Sequence, residues 1–233
     1  MTQPETEIRR AWRHLAGPDH DGYVDALLVR YAEPHRRYHT ATHIMFVLRH
    51  VHDVAQAPSE GSSAAAPSAE LIAAALYHDA IYDPTAAANE SLSAVLATND
   101  LAEIGWSTQR CAAVAAMVVA TAGHLVDAAD SPVDAGGSPE TAMLLDSDLA
   151  ILGAEPGAYQ AYVNGVRAEY AHIADEQWRI GRTAVLQHFL ARAPLFATDY
   201  MRAAFEQRAR ANIEAELAAL SHSHSPEQPR RHD

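Results

Sequence analysis

The sequence predicts an all-α fold, and three observations predict it. Apolar residues recur at helical spacing through most of the 233 residues. Alternating runs of the β type are scarce. The two breaker-rich stretches, Ala57 to Ala69 and Asp127 to Pro139, separate helical blocks and carry no periodicity of their own.

Helices are expected over residues 4–16, 21–32, 40–56, 69–80, 88–103, 107–122, 139–151, 156–171, 175–192 and 196–220. The first two follow from helical spacing alone. In the third, Ile44, Val47, Leu48 and Val51 form an apolar stripe that draws one face inward. The fourth, LIAAALYHDAIYDP, is apolar and ends in the pair His78-Asp79. The fifth again rests on spacing. The sixth holds CAAVAAMVVA, where the single cysteine, Cys111, reads as a packing residue. The seventh, TAMLLDSDLAILG, sets Asp146 and Asp148 among apolar residues. Spacing supports the eighth and ninth. The tenth, EQRARANIEAELAAL, has a charged face and a stripe of Ala, Ile and Leu. Residues 1–220 read as one helical domain, and 221–233 as a disordered tail with solvated histidines.

Composition narrows the partners. Hydrophobic residues make up 48% of the chain, enough for a sizeable core, and the formal net charge is −13. An acidic surface argues against duplex nucleic acid and against an anionic membrane. A phosphorylated small molecule stays compatible, because a pocket can be locally positive inside an acidic protein. One cysteine forms no internal disulfide, which fits a reducing compartment. The N-terminus has no apolar signal core, and no apolar run approaches a membrane span of about 20 residues. A cytoplasmic location is the expectation.

Histidine carries the chemistry. The chain has 14, crowded into its N-terminal third, with His124 alone between the His78-Asp79 pair and Asp148. An ionised aspartate at the end of a buried helix is costly unless it is paired or bound to a cation. His39 and His43 stand four apart and can share a helical face. Asp146 and Asp148 have no Lys or Arg near them in sequence. A metal ion would answer all three observations. Read locally, Asp79 is a turn residue, His78 a core histidine and one late aspartate a helix cap.

The order His43, His78-Asp79, Asp148 resembles the H…HD…D signature of the HD-domain metal-dependent phosphohydrolases. The segments EPHRRYHTATHI, YHDAIYDPTAAANESLSA, LLDSDLAILG, AEY and EQRARANIEAEL are similar to a bacterial subgroup of HD proteins. The resemblance runs from about Tyr31 to Leu217. It implies an HD-type helical bundle with added C-terminal helices, and His43, His78, Asp79 and Asp148 as ligands. His39 competes with His43, and Asp146 with Asp148. The implied activity is hydrolysis of a nucleotide or another small phosphate ester. One divalent ion is implied (Mn, Fe, Co, Ni, Zn or Mg), since only His124 is there to supply a second site. Asp83 and Glu90 are candidate acid–base groups, and Arg36, His39, His124 and Arg182 candidate substrate contacts. Arg37 and Arg167 are weaker candidates for the same cleft. A di-iron oxygenase of the HD type and a non-catalytic metal- or nucleotide-binding module are the alternatives. A homodimer is a possible assembly.

Overall fold

Ten α-helices follow one another in the computed structural model, which describes residues 1–57, 65–122 and 138–222. They are α1 (Gln3–Ala16), α2 (Asp21–Tyr31), α3 (Ala41–Gln56), α4 (Ala69–Tyr77), α5 (Asn89–Glu103), α6 (Thr108–Ala120), α7 (Pro139–Leu149), α8 (Pro156–Glu169), α9 (Asp175–Ala191) and α10 (Asp199–His222). No strand occurs among the described residues, and none of their helices is long and apolar enough to cross a membrane. Most of the 127–139 stretch and the tail beyond His222 lie outside the described residues, as does His124.

Local chemistry explains where the helices begin. Thr2 forms a capping box with Glu5, and Thr40, Ser68, Ser107 and Ser138 each accept a backbone N–H of the first turn they precede. Pro139 and Pro156 occupy first-turn positions, where the missing N–H has no helical partner to lose.

The helices bury two apolar clusters. The first gathers α1 to α6 around Ile8, Trp12, Val47, Leu76, Leu101 and Val114. Its centre is α4, buried from Ala73 through Tyr77, whose three alanines permit close approach of α1, α3 and α6. The second gathers α7 to α10 around Leu152, Leu186, Phe196 and Ile213. Each fully buried Leu, Ile or Phe contributes about 1.5–3 kcal/mol of transfer free energy. Helix α3 packs on α1, α4 and α7, and Val54 at its far end belongs to the second cluster. The candidate site residues described below lie where α3, α4 and α7 meet.

Two boundaries differ from the sequence reading by three residues, and both bear on the site. Helix α4 ends at Tyr77, so His78 is its C-cap and Asp79 stands in the turn beyond. Helix α10 starts at Asp199 rather than near 196. The backbone N–H groups of Leu195 and Phe196 donate to Glu206, and those of Ala197 and Thr198 donate to Asp146, so side chains hold this segment outside the helix. Between α7 and α8 a 3₁₀ turn, Ala150–Gly153, lies against α10. A Cβ on Gly153 would stand 2.7 Å from Phe205 Cβ, so that approach needs glycine.

Candidate metal centre

The turn after α4 sets the site. A chain leaving a helix exposes carbonyls that need donors. Here side chains from distant segments supply them. Tyr31 Oη donates to Leu76 O at 2.8 Å, and Arg36 Nη1 donates to Asp79 O at 2.8 Å. Arg36 Nη2 donates to Ala80 O at 3.1 Å, and Ile81 N donates to Ser93 Oγ at 2.9 Å. The backbone at His78-Asp79 is therefore held from several directions.

His78 Nδ1 lies 3.0 Å from Ala75 O. A carbonyl can only accept, so Nδ1 carries a proton, and Nε2 is the atom left to take either a second proton or a cation. His43, one turn into α3 and also buried, brings its Nε2 to 3.1 Å from His78 Nε2. Asp79 Oδ2 lies 3.3 Å from His43 Nε2 and 3.2 Å from His78 Nε2. Asp148 Oδ1 arrives from α7 at 3.1 Å and 3.6 Å from the same two nitrogens. Ligand atoms about 2.1 Å from a common ion stand about 3.0 Å apart at right angles and about 3.4 Å apart at the tetrahedral angle. Four of the five observed spacings, 3.1 to 3.3 Å, fall in that range, and the His78–Asp148 spacing of 3.6 Å lies just above it. His43, His78 and Asp79 form a group that could hold a metal ion, and Asp148 closes on both imidazoles.

The electrostatics agree with the geometry. Burial alone would push both imidazoles below their ordinary range. Hydrogen bonds from His43 to Asp148 and Asp79 reverse this and raise it, and the charges of Asp79 and Asp148 raise His78 well above the histidine range. Burial would raise Asp79, but His78, His39 and the imidazole hydrogen bonds hold it well below the carboxylate range. Protons and a divalent cation compete for the same lone pairs in such a cluster. The imidazoles are only 1% exposed, whereas the Asp79 and Asp148 side chains are 19% and 17% exposed, so the site opens on its carboxylate side.

His39 is not in this group. Its ring stands edge-on to His43, with centroids 5.7 Å apart, and packs on Tyr82 at 4.3 Å. Its Nδ1 faces Glu169 Oε2 at 2.7 Å. Glu169, buried at the end of α8, also accepts the backbone N–H groups of Arg37, Tyr38 and His39 at 2.7, 2.8 and 3.0 Å and the Tyr82 hydroxyl at 2.9 Å. Burial raises its carboxyl, but His39 and these donors lower it to about 2. Sequence reasoning missed Glu169. Its only signal was the AEY segment within the resemblance.

The remaining candidates fall elsewhere. Asp146 is buried and turned towards the segment before α10, where it accepts Ala197 N, Thr198 N and Thr198 Oγ1 at 2.9, 2.7 and 2.7 Å. The structure does not bring Arg36 to the site as a phosphate clamp. Its buried guanidinium is spent on Glu33 and on the carbonyls of His39, Asp79 and Ala80. Nor does it bring Arg182, which pairs with Glu216 at 2.8 and 3.0 Å and donates to Tyr162 Oη at 3.0 Å, tying α8, α9 and α10 together. Arg167 is occupied by Tyr170 O, Ile173 O and Asp175, and Arg37 by Pro34 O and Arg36 O. Asp83 is exposed and caps its own turn through Thr85 N and Oγ1 at 2.8 and 2.7 Å. Glu90 stands in the first turn of α5, where a carboxylate favours the helix. His124 lies outside the described residues.

Comparison with protein-family models, with curated proteins and with solved structures found no match to this chain. The geometry of the site is therefore what bears on function.

Proposed function

We propose that this chain is a divalent-metal-dependent phosphohydrolase of the HD-domain kind, acting on a nucleotide or another small phosphate ester. The convergence of His43 Nε2, His78 Nε2, Asp79 Oδ2 and Asp148 Oδ1 carries the proposal. Two imidazoles and two carboxylates are a mixed nitrogen–oxygen set suited to Mn, Fe, Co, Ni, Zn or Mg. An ion bound there supplies Lewis acidity towards a phosphoryl oxygen and makes water a stronger acid.

The chain's own residues supply placement. Asp79 and Asp148 present their charge on the open side, next to where a phosphate ester enters. Glu169 fixes the ring of His39 through Nδ1, which leaves Nε2 free for a hydrogen bond, and the ring stands edge-on to His43. We assign His39 to contact a phosphoryl or leaving-group oxygen. The neutralising role expected of Arg36 and Arg182 falls to the ion, because both guanidinium groups serve the fold.

A screen of phosphomonoesters, nucleotides and cyclic nucleotides with Mn, Co, Ni and Mg tests the proposal. Turnover that requires a metal and disappears in Asp79→Ala is expected. Tight metal binding with no turnover of any of them would favour a binding module. Two irons per chain with oxygen-dependent turnover would favour an oxygenase.

A further inference from the structure

Single apolar side chains on a surface are ordinary, but a contiguous group of them marks a contact surface. Here such a group falls on two neighbouring helices. Val29 on α2 is 71% exposed, and Leu92 and Val95 on α5 are 51% and 56% exposed. Helices α2 and α5 lie side by side and antiparallel. Tyr23 Oη near the start of α2 donates to Glu103 Oε2 at the end of α5 at 2.7 Å, and further along Arg30 and Leu96 line one groove between the helices. Arg30 and Leu96 each stand seven residues from that bond, about 10 Å along the groove. Val29 is therefore level with Leu96. The groove is open because α2 offers only Gly22 and Ala26 beside Arg30, and a Cβ on Gly22 would meet nothing within 4 Å.

The two halves of this face complement one another. On α5, Leu92, Val95, Leu96 and Asn99 are spaced i, i+3, i+4 and i+7, the four-residue hole that takes a side chain from another helix. On α2, Val29 projects as a single apolar knob. The α2 half also carries a cation, Arg30, whose side chain closes no ion pair or hydrogen bond among the described residues. The α5 half carries an anion, Asp100, on the same groove. Tyr77 Oη donates to Asp100 Oδ2 at 2.9 Å, which fixes the carboxylate and leaves its other oxygen to accept. A knob and a cation on one helix, with a hole and an anion on its neighbour, are what a two-fold interface requires. A two-fold axis along the groove sets α2 of each copy on α5 of the other without changing level. Each Val29 then meets a hole and each Arg30 an Asp100. A partner carrying one sign of charge would meet like charge on one half.

We propose that the α2–α5 face is a homodimer interface. Val29 of each copy seats between Leu92, Val95, Leu96 and Asn99 of the second copy, and Arg30 pairs with Asp100 of the second copy.

Sedimentation velocity of the full chain from about 1 to about 100 µM tests this. A species of twice the 25.2 kDa chain mass is expected for the wild type. Val29→Glu changes a side chain that the single chain leaves in solvent, and should weaken the association by about ten-fold or more. Its helical circular dichroism should be unchanged. Ile180→Glu alters an apolar side chain on α9 that is 59% exposed, and should leave the association intact. Arg30→Asp and Asp100→Lys should each weaken self-association. An equimolar mixture of the two should associate again, because opposite charges then meet at both contacts. A wild type that stays monomeric at about 100 µM overturns the proposal, as does a dimer that Val29→Glu leaves unweakened or that Ile180→Glu weakens as much. A mixture that associates no better than its components overturns it too. Should Asp100→Lys fail to fold for want of the Tyr77 bond, the contrast between Val29→Glu and Ile180→Glu decides alone.

Discussion

Replacing Glu169 with Gln should cost stability in a pH-dependent way. One carboxylate oxygen collects three backbone N–H groups from residues 37–39, and the other meets the Tyr82 hydroxyl and His39 Nδ1. A carboxamide keeps one acceptor for the backbone but turns an NH₂ towards the two remaining donors. The wild-type carboxyl is held at about 2 against an ordinary value of 4.5. Because the folded value is the lower one, its stabilisation is complete above pH about 4.5 and is lost as the pH falls towards about 2. A difference of that size is worth at most about 3 kcal/mol, and screening at the partly exposed His39 edge brings it to about 2 kcal/mol. In a chain of this length that corresponds to a melting temperature lower by about 4–8 °C near neutral pH. Urea unfolding of both proteins from pH 7 to pH 3 measures the effect. The gap between them should narrow as the pH falls below about 4.5. A gap that stays constant with pH, or the absence of any gap at pH 7, would refute the reasoning.

Three other substitutions test the frame of the site. Arg36→Ala strips the donors from the carbonyls of His39, Asp79 and Ala80, and should cost on the order of 3–5 kcal/mol and metal binding with it. Weaker substrate binding at full stability and full metal content would instead make Arg36 a phosphate contact. Asp146→Ala leaves Ala197 N and Thr198 N without their acceptor; a loss of about 2–3 kcal/mol in urea unfolding is expected, with metal still bound. Gly153→Ala drives a Cβ against Phe205 Cβ and O at 2.7 and 2.8 Å, and should lower stability by about 1–3 kcal/mol, as seen in the melting temperature.

The fold was largely legible because apolar spacing is a local signal. Ser and Thr caps and first-turn prolines stand within a few residues of the expected helix starts. Asp79 and Asp148 stood out for a similar reason, as carboxylates set in apolar helical sequence. The choice between Asp146 and Asp148 is geometric. Side chains two apart on a helix point about 200° apart, so one reaches the imidazoles and the other the start of α10. The arginines were not legible. Arg36 finds its carbonyls at positions 79 and 80, and Arg182 finds Glu216. Glu33 stands three residues from Arg36, but nothing near either arginine in sequence reveals the distant partners that take its other donors. Glu169 was hidden in the same way, since a glutamate closing a polar helix reads as solvated until the chain brings residues 37–39 and Tyr82 onto it.

The central claim is that His43, His78, Asp79 and Asp148 bind a divalent ion together. Elemental analysis combined with calorimetric titration by Mn²⁺, Co²⁺ and Zn²⁺ tests it most directly, on the wild type and on Asp79→Ala. About one ion per chain is predicted for the wild type, with uptake lost in Asp79→Ala while the helical circular dichroism is retained. A wild type that takes up no divalent ion, or an Asp79→Ala protein that binds it at full occupancy and unchanged affinity, would contradict the account.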